Sequence, residues 1–290
     1  MFMRWSLPRR KLSLVVALVT LVGGASWLRA AAPTTEPKRA TFEVTNAFTV
    51  KVPEGAQRVR VWFAVPQQDA ESELRMLNVE ASYPVRYGTD SSGNTVGYIE
   101  VSQPQMGQIH LKETFTLTRT EIRKAVDPAA SRPLTDQERA ELARYLQPST
   151  HVVINEQIKM LAQQIVGGEQ NPVAAARKIY DWTLQNIDYW VKDPEHLKAS
   201  PVGSSEYCLR TKTGNCTDFH SLFSSLTQAV GIPTRMVYGS LLKPTLNGMD
   251  VDASYHCWIQ FYAPNLHWVT LDVSVADLYM GDFPLTEKNL

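Results

Sequence analysis

The sequence predicts an α+β protein in which an N-terminal antiparallel β-sandwich is followed by helices packed on a second antiparallel sheet. Period-two runs of Val, Thr, Phe and Tyr fill residues 41–122, which is typical of half-buried strands. Apolar residues at helical spacing, framed by capping signals, then occupy most of residues 151–231. Strand-like runs return after Pro233, and this order of helices before strands favours an α+β second domain.

The N-terminal domain, residues 41–122, contains four strand-like runs separated by turn signals such as Pro53-Glu54-Gly55 and Ser92-Gly93-Asn94. These runs are "TFEVTNAFTVKV", "RVRVWFAV", "TVGYIEVS" and "IHLKETFTLTRT". Repeated short strands of this kind predict a β-sandwich. No group of residues in the segment has a catalytic pattern, so we expect a packing or positioning module.

Residues 123–150 are predicted to be a linker with one short helix, because Thr135 and Glu138 stand at capping-box spacing. The second domain, residues 151–290, starts with a helix that Gly167-Gly168 ends. A further helix follows, with Asn171 as its N-cap and Pro172 at its first position. The pattern predicts a long irregular connection over residues 194–213.

The first 32 residues form a basic start followed by an apolar stretch, Leu12 to Leu28. This is the pattern of a secretory signal peptide, with cleavage near Ala30. An uncleaved N-terminal anchor is the alternative, which would tether the chain to a membrane. Either interpretation predicts export, to the periplasm in a Gram-negative cell.

Charge excludes one class of partner. The formal net charge is zero, but the first 32 residues hold five basic and no acidic side chains, which leaves the remainder mildly acidic. Such a body offers no basic surface for nucleic acid. The sequence leaves the oligomeric state open.

One of the three cysteines, Cys216, lies at a predicted helix start. Asn215 is a good N-cap, and the apolar stripe of the helix continues to Val230 before Gly231 and Pro233 end it. The first turn of a helix favours thiolate over thiol, because backbone N–H groups and the helix dipole stabilise negative charge. Gly214 would let another backbone or a substrate come close. This context predicts a nucleophile.

A nucleophilic cysteine needs a base, and the strand "SYHCWIQFY" supplies His256. A three-residue loop, Ala263-Pro264-Asn265, would pair Tyr262 with Leu266 and therefore His256 with Asp272 on the next strand. A carboxylate beside an imidazole sets its tautomer and stabilises the imidazolium. An even-length loop would place the two on opposite faces.

Other roles for the cysteines and histidines remain as alternatives. A zinc site could use Cys208, Cys216, His220 and Cys257, but the spacings are irregular and no C-x-x-C pair is present. A Cys208–Cys257 disulfide is possible in an exported protein, and a plain buried thiol is the favoured state of Cys257. His220 shares a helix face with Cys216, and a structural hydrogen-bonding role is favoured for it. No metal or cofactor is therefore expected.

Three segments together, "TGNCTDFHSLFSSLTQAVGIPTRMVYG", "YHCWIQFY" and "HWVTLDVSVAD", resemble the transglutaminase-like superfamily of papain-type thiol enzymes. The resemblance covers roughly residues 155–280 and implies a papain- or transglutaminase-like core. Carried over by position, it makes Cys216 the nucleophile, His256 the base and Asp272 the orienting acid. It also implies an upstream aromatic oxyanion donor, for which Tyr189 and Trp190 are both candidates.

The resemblance implies acyl transfer on a peptide or carboxamide of a protein or peptide substrate, through a thioester. Analogy with exported bacterial members favours hydrolysis over transamidation. The alternative from another class is a non-catalytic envelope binding or assembly module with the same fold. Family members often continue with further strands beyond the orienting aspartate, whereas this sequence ends at Leu290. It is either a short member or a fragment.

Overall fold

A computed structural model describes residues 36–105, 107–123, 125–252 and 255–280 of the chain. Its first half is built of antiparallel strands, which form two three-stranded sheets with the orders β1-β6-β3 and β2-β5-β4. The strands are β1 (Arg39–Lys51), β2 (Arg58–Ala64), β3 (Ser72–Ala81), β4 (Arg86–Thr89), β5 (Thr95–Ser102) and β6 (Gln108–Thr120). The four runs predicted from sequence are β1, β2, β5 and β6.

Strands β3 and β4 were not predicted. Their sequences, "SELRMLNVEA" and "RYGT", carry charged and polar residues in place of a clean alternation. Pairing with β6 and β5 makes them strands. Apolar side chains from both sheets contribute to one buried cluster, comprising Val61, Phe63, Val65, Ile99, Val101, Ile109 and Leu111.

One carboxyl group is buried in this half of the protein. Glu113 of β6 has no exposed surface, and its Oε2 accepts a hydrogen bond of 2.8 Å from Asn46 Nδ2. Its other oxygen, Oε1, is buried without a hydrogen-bond partner. Burial raises the pKa of Glu113, and the Asn46 hydrogen bond opposes that rise only in part.

Replacing Glu113 by glutamine should therefore stabilise the protein at neutral and alkaline pH. Because its pKa is raised in the folded state, stability is full below the unfolded pKa near 4.5 and falls as pH rises towards the folded pKa. We expect Glu113→Gln to gain about 1–3 kcal/mol of unfolding free energy at pH 8, and less at pH 4. Urea denaturation at both pH values measures this, with the exposed Glu43→Gln as control; equal effects at both pH values would contradict it.

The middle of the chain follows the predicted capping signals. A short helix, α1 (Asp136–Glu141), has the full Thr135/Glu138 capping box. Helix α2 (Glu156–Val166) ends at Gly167 in the left-handed conformation, φ 61°. Helix α3 (Pro172–Asn186) has Asn171 as its N-cap, whose side chain accepts from two backbone N–H groups. These predictions are confirmed because capping is decided by residues close in sequence.

Two helices were missed. The predicted irregular connection over residues 194–213 contains α4 (Ser205–Thr211), with Ser204 as N-cap, and the chain after the last strand forms α6 (Val273–Tyr279), with Asp272 as N-cap. Both helices have only seven residues, which is too short for an apolar period to emerge. The Ser and Asp N-caps were the available signals.

Helix α5 (Cys216–Ala229) lies at the centre of the second half. It contacts α2, α3, α4, α6 and the sheet formed by β9 (Thr234–Ser240), β10 (Tyr255–Ala263) and β11 (His267–Leu271). The sequence predicted a one-sided apolar stripe, but eleven of its fourteen residues are buried. Small polar side chains such as Ser221, Ser225 and Thr227 lie at the additional buried positions because neighbours cover the helix on several sides.

The predicted register of the β10–β11 hairpin is wrong by two residues. The turn residues are Pro264-Asn265-Leu266, so Tyr262 pairs with Trp268 instead of Leu266, and Leu271 pairs with Ile259. Asn265 and His267 take left-handed backbone angles that the sequence pattern did not indicate. Because the shift is even, Asp272 stays on the predicted face; it lies just beyond the end of the strand.

The predicted signal or anchor segment, residues 1–32, lies outside the described residues. Within the part of the chain that the structure describes, no helix is long and apolar enough to cross a membrane. A two-residue parallel bridge, β7 (Asp188–Tyr189) with β8 (Thr213–Gly214), brings the segment after α3 beside the residues that precede Cys216.

Candidate active site

Cys216 occupies the first position of α5, as the sequence predicted. The Asn215 side chain accepts from the Asp218 N–H, and the Asp218 side chain accepts from the Asn215 N–H, which makes a complete capping box. The Cys216 side chain therefore lies at the positive end of a fourteen-residue helix. Cys216 is 7% exposed, so its surroundings are largely free of water.

The Asp218 carboxylate anchors this helix start to the preceding loop. It is fully buried and accepts backbone N–H bonds from Ser200 (3.0 Å), Ser204 (2.7 Å) and Asn215 (3.0 Å), as well as one from the Ser200 hydroxyl (2.5 Å). A Cβ on Gly214 would lie 2.4 Å from the Asp218 Cβ, so only glycine fits at residue 214. The close approach expected at Gly214 is thus made by Asp218.

His256 and Asp272 are in direct contact. His256 Nε2 lies 2.5 Å from Asp272 Oδ2, although the two residues are not paired across the hairpin. Asp272 reaches His256 from the turn that caps α6, where its Oδ1 accepts from the Val275 N–H (2.9 Å) and the Ser274 hydroxyl (2.8 Å). One carboxylate therefore both caps a helix and orients an imidazole.

This contact sets the protonation states of both groups. The hydrogen bond to Asp272, followed by that to Cys216, raises the pKa of His256 to about 9. Burial alone would raise the pKa of Asp272, but interactions with His220 and His256 outweigh it and hold that pKa well below its ordinary value. At neutral pH the pair is an imidazolium and a carboxylate.

The thiol of Cys216 is strongly acidic. Its pKa lies well below the ordinary value because the neighbouring side chain of Cys257, and then that of His256, stabilise the thiolate and together outweigh burial. Cys257 shows the opposite shift, since its hydrogen bond to Cys216 and its burial raise its pKa. Of these two neighbouring sulfurs, Cys216 carries the negative charge and Cys257 keeps its proton.

His220 and Cys257 lie beside the group formed by Cys216, His256 and Asp272, and the sequence did not predict their contacts with it. His220 is fully buried, with Nδ1 3.3 Å from Cys257 Sγ and Nε2 3.4 Å from Asp272 Oδ1. Cys257 was expected to be a plain core thiol, and it contacts His220 and Thr217. No sequence signal could have identified this, because the contacts join α5, β10 and the turn before α6.

The three cysteines form neither a disulfide nor part of a metal site among the described residues. Cys208, Cys216 and Cys257 are all free, so the Cys208–Cys257 disulfide is not formed. Among the described residues, no three His, Cys, Asp or Glu side chains are grouped so that they could hold a metal ion. A cavity of about 500 Å³ beside Arg139, Glu169 and Ile232 does not include Cys216, His256 or Asp272 in its lining.

Of the two upstream aromatic residues, Tyr189 packs against the nucleophile helix. Its ring meets that of Phe219 edge-on at 5.8 Å, and burial, followed by the charge of Cys216, raises its pKa. Tyr189 therefore stays a protonated phenol within electrostatic reach of Cys216.

A thiolate, an imidazolium and a carboxylate, arranged as Cys216, His256 and Asp272, suit nucleophilic acyl transfer.

Comparison with known proteins agrees with this fold and motif order. Residues 159–273 match the family described as the Transglutaminase-like superfamily. An uncharacterised protein of Haemophilus influenzae is 23% identical over 293 aligned positions, which cover 93% of this chain and 78% of that protein. A crystal structure of a candidate cysteine protease from Cytophaga hutchinsonii superposes with a TM-score of 0.60 at 17% identity, over 82% of this chain and 78% of that one.

A looser likeness exists to the periplasmic domain of TgpA from Pseudomonas aeruginosa. Its TM-score is 0.43 at 15% identity, over 84% of this chain and 73% of that chain.

The fold and the side-chain arrangement thus define a protein with a papain-type order of cysteine, histidine and aspartate on a helix, a strand and a following turn. Residues 159–273 of the chain form a domain that matches the transglutaminase-like superfamily. The resemblance drawn from its motifs is confirmed.

Proposed function

We propose that this protein is an exported cysteine-dependent acyl-transfer enzyme that acts on peptide or carboxamide bonds, with hydrolysis favoured over transamidation. The observation that carries the proposal is the acidic Cys216 thiol at a helix start beside a His256 held at 2.5 Å by Asp272. Its substrate is a peptide or protein. Export rests on the N-terminal sequence pattern, and mass spectrometry of the mature N-terminus tests it.

The reaction proceeds in two balanced steps. The Cys216 thiolate attacks the carbonyl carbon, the C–N bond breaks, and His256 gives its proton to the leaving amine. Water or a primary amine then attacks the thioester and gives a proton to His256, and the C–S bond breaks to restore the thiolate. The Cys216 backbone N–H, among the first four of α5, is suited to stabilise the oxyanion.

The two sheets of residues 41–122 have no catalytic group in this scheme. We propose that they form a β-sandwich that positions the enzyme or its substrate. Apolar side chains from both sheets in one buried cluster support this.

A peptide library with and without a labelled primary amine tests the reaction type. We expect hydrolysed products, a transient thioester in the intact mass, and loss of both in Cys216→Ser, by about 10⁴- to 10⁶-fold in rate. Cys208→Ser, the same change at another buried cysteine, should keep the activity.

Prevailing amine incorporation would make the protein a transamidase. Turnover that survives Cys216→Ser would overturn the cysteine mechanism. Absence of any acylation would leave a binding or assembly module as the function.

A further inference from the structure

A chain of hydrogen-bonding groups leads from His220 to Cys216. Cys257 Sγ donates to Thr217 Oγ1 at 3.6 Å, and Thr217 Oγ1 lies 3.9 Å from Cys216 Sγ. Behind Cys257, His220 Nδ1 lies 3.3 Å from the Cys257 sulfur. The proposed reaction assigns no role to Thr217, His220 or Cys257.

The contacts of His220 determine in which direction the groups of this hydrogen-bond chain donate. The Val273 N–H donates to His220 Nε2 at 3.3 Å, so the neutral ring has its proton on Nδ1. If the ring were an imidazolium, Nε2–H would face Asp272 Oδ1 at 3.4 Å and Nδ1 would still carry a proton. In both states Nδ1–H points at Cys257 Sγ, which leaves the Cys257 proton to point onward.

The remaining protons follow from that order. Thr217 Oγ1 accepts from Cys257, and in this arrangement its own hydroxyl proton points to Cys216 Sγ. Each donor along the path thus faces the nucleophile. Hydrogen bonds arranged head to tail polarise one another, and bonds to an ionised acceptor are the stronger kind.

We propose that Cys257 is a positioning residue for the nucleophile: it remains a protonated thiol that donates to Thr217, so that the Thr217 hydroxyl donates to the Cys216 thiolate, and His220 sets the orientation of Cys257. This rests on the proposed function, in which the Cys216 thiolate attacks. The full burial of Cys257 and His220 supports it, because a donor with no access to water keeps its orientation.

The charges around the two sulfurs are compatible with a protonated Cys257 thiol and an ionised Cys216. Burial and the Cys216 hydrogen bond raise the pKa of Cys257, so it stays a donor while Cys216 is ionised. The other titratable groups that face the pair from neighbouring elements are Tyr189 of β7, Tyr238 of β9, Tyr255 and His256 of β10, and Asp272 before α6. Of these, only His256 is positively charged at neutral pH.

The experiment compares Cys257→Ala with Cys257→Ser. Alanine removes the donor, whereas serine keeps an O–H in its place. Site-resolved mass spectrometry would follow alkylation of Cys216 by iodoacetamide from pH 3 to pH 10. We expect Cys257→Ala to move the thiolate midpoint up by about one pH unit, which is about tenfold in rate on the acid side of the profile. Cys257→Ser should stay within about threefold, and Cys208→Ala should match the wild type.

An unchanged midpoint in a folded Cys257→Ala protein would overturn the proposal, as would alkylation of Cys257 ahead of Cys216 in the wild type. Nitrogen NMR of the wild-type histidines adds a test that needs no variant. We expect a proton on His220 Nδ1, and an unprotonated Nδ1 would contradict the proposed hydrogen-bond chain. Because alkylation needs no substrate, a shifted midpoint without turnover would refute the proposed reaction alone. Turnover without a shift would refute the role of Cys257 alone.

Discussion

Asp272→Asn should lower kcat/KM by about 10⁴-fold, the scale seen when a carboxylate that orients a catalytic imidazole loses its charge. The 2.5 Å contact to His256 would then join an amide to the ring, which no longer favours the imidazolium. His256 would lose the largest cause of its raised pKa. At neutral pH, less of His256 would then be protonated and able to give a proton to the leaving amine.

The pH profile identifies the cause. In the wild type, His256 is protonated below its pKa of about 9, so activity should fall as pH rises through that value. Its raised pKa also means that the stabilisation it contributes is full below about 6.5 and is lost towards pH 9. In Asp272→Asn the alkaline limb should move to lower pH.

Asp193→Asn is the matched control, because it breaks an exposed carboxylate–imidazole contact, 2.9 Å to His196. We expect an unchanged rate and profile. A rate for Asp272→Asn within about tenfold of the wild type would contradict the assigned role of Asp272.

Asp218→Ala should lower the free energy of unfolding by about 3–5 kcal/mol, the range for removing one partner from a buried charged network. It would leave the N–H groups of Ser200, Ser204 and Asn215 without their acceptor. The start of α5 and the loop before α4 would separate, and the acidity of Cys216 would fall with the loss of the helix start. Urea denaturation and alkylation near pH 6 measure both effects.

The control is Asp181→Ala, which removes an exposed carboxylate four residues from Arg177 on α3. An exposed pair of this kind contributes only about 0.3–0.5 kcal/mol. A loss in Asp218→Ala no larger than in Asp181→Ala would show that Asp218 does not hold the helix start.

Sequence reasoning was accurate where neighbours along the chain decide the outcome. The start and end of α5 follow from Asn215 and Gly231, and the position of Cys216 at that start follows with them. The contact of His256 with Asp272 was predicted, but for the wrong reason. The expected cross-strand pairing is absent, and the contact survives because an even register shift keeps Asp272 on the same face, while the turn before α6 carries it to the imidazole.

Contacts between distant segments could not be predicted. Asp218 completes the capping box of α5, and it also holds a loop fourteen to eighteen residues upstream. His220 and Cys257 looked like a structural histidine and a core thiol because nothing in a single sequence shows which buried polar side chains meet. Strand β3 illustrates the same limit, since its pairing with β6, and not its polar sequence, makes it a strand.

The sequence by itself determined the class of the protein, the cysteine at a helix start and the order of cysteine, histidine and aspartate, because capping residues and motif order act over short stretches of chain. Tertiary structure alone decided the hairpin register, the burial of α5 on several sides and the two sulfurs that share one hydroxyl. These features depend on side chains that packing brings together from separate elements. Burial there makes it costly to leave a polar group without a hydrogen bond.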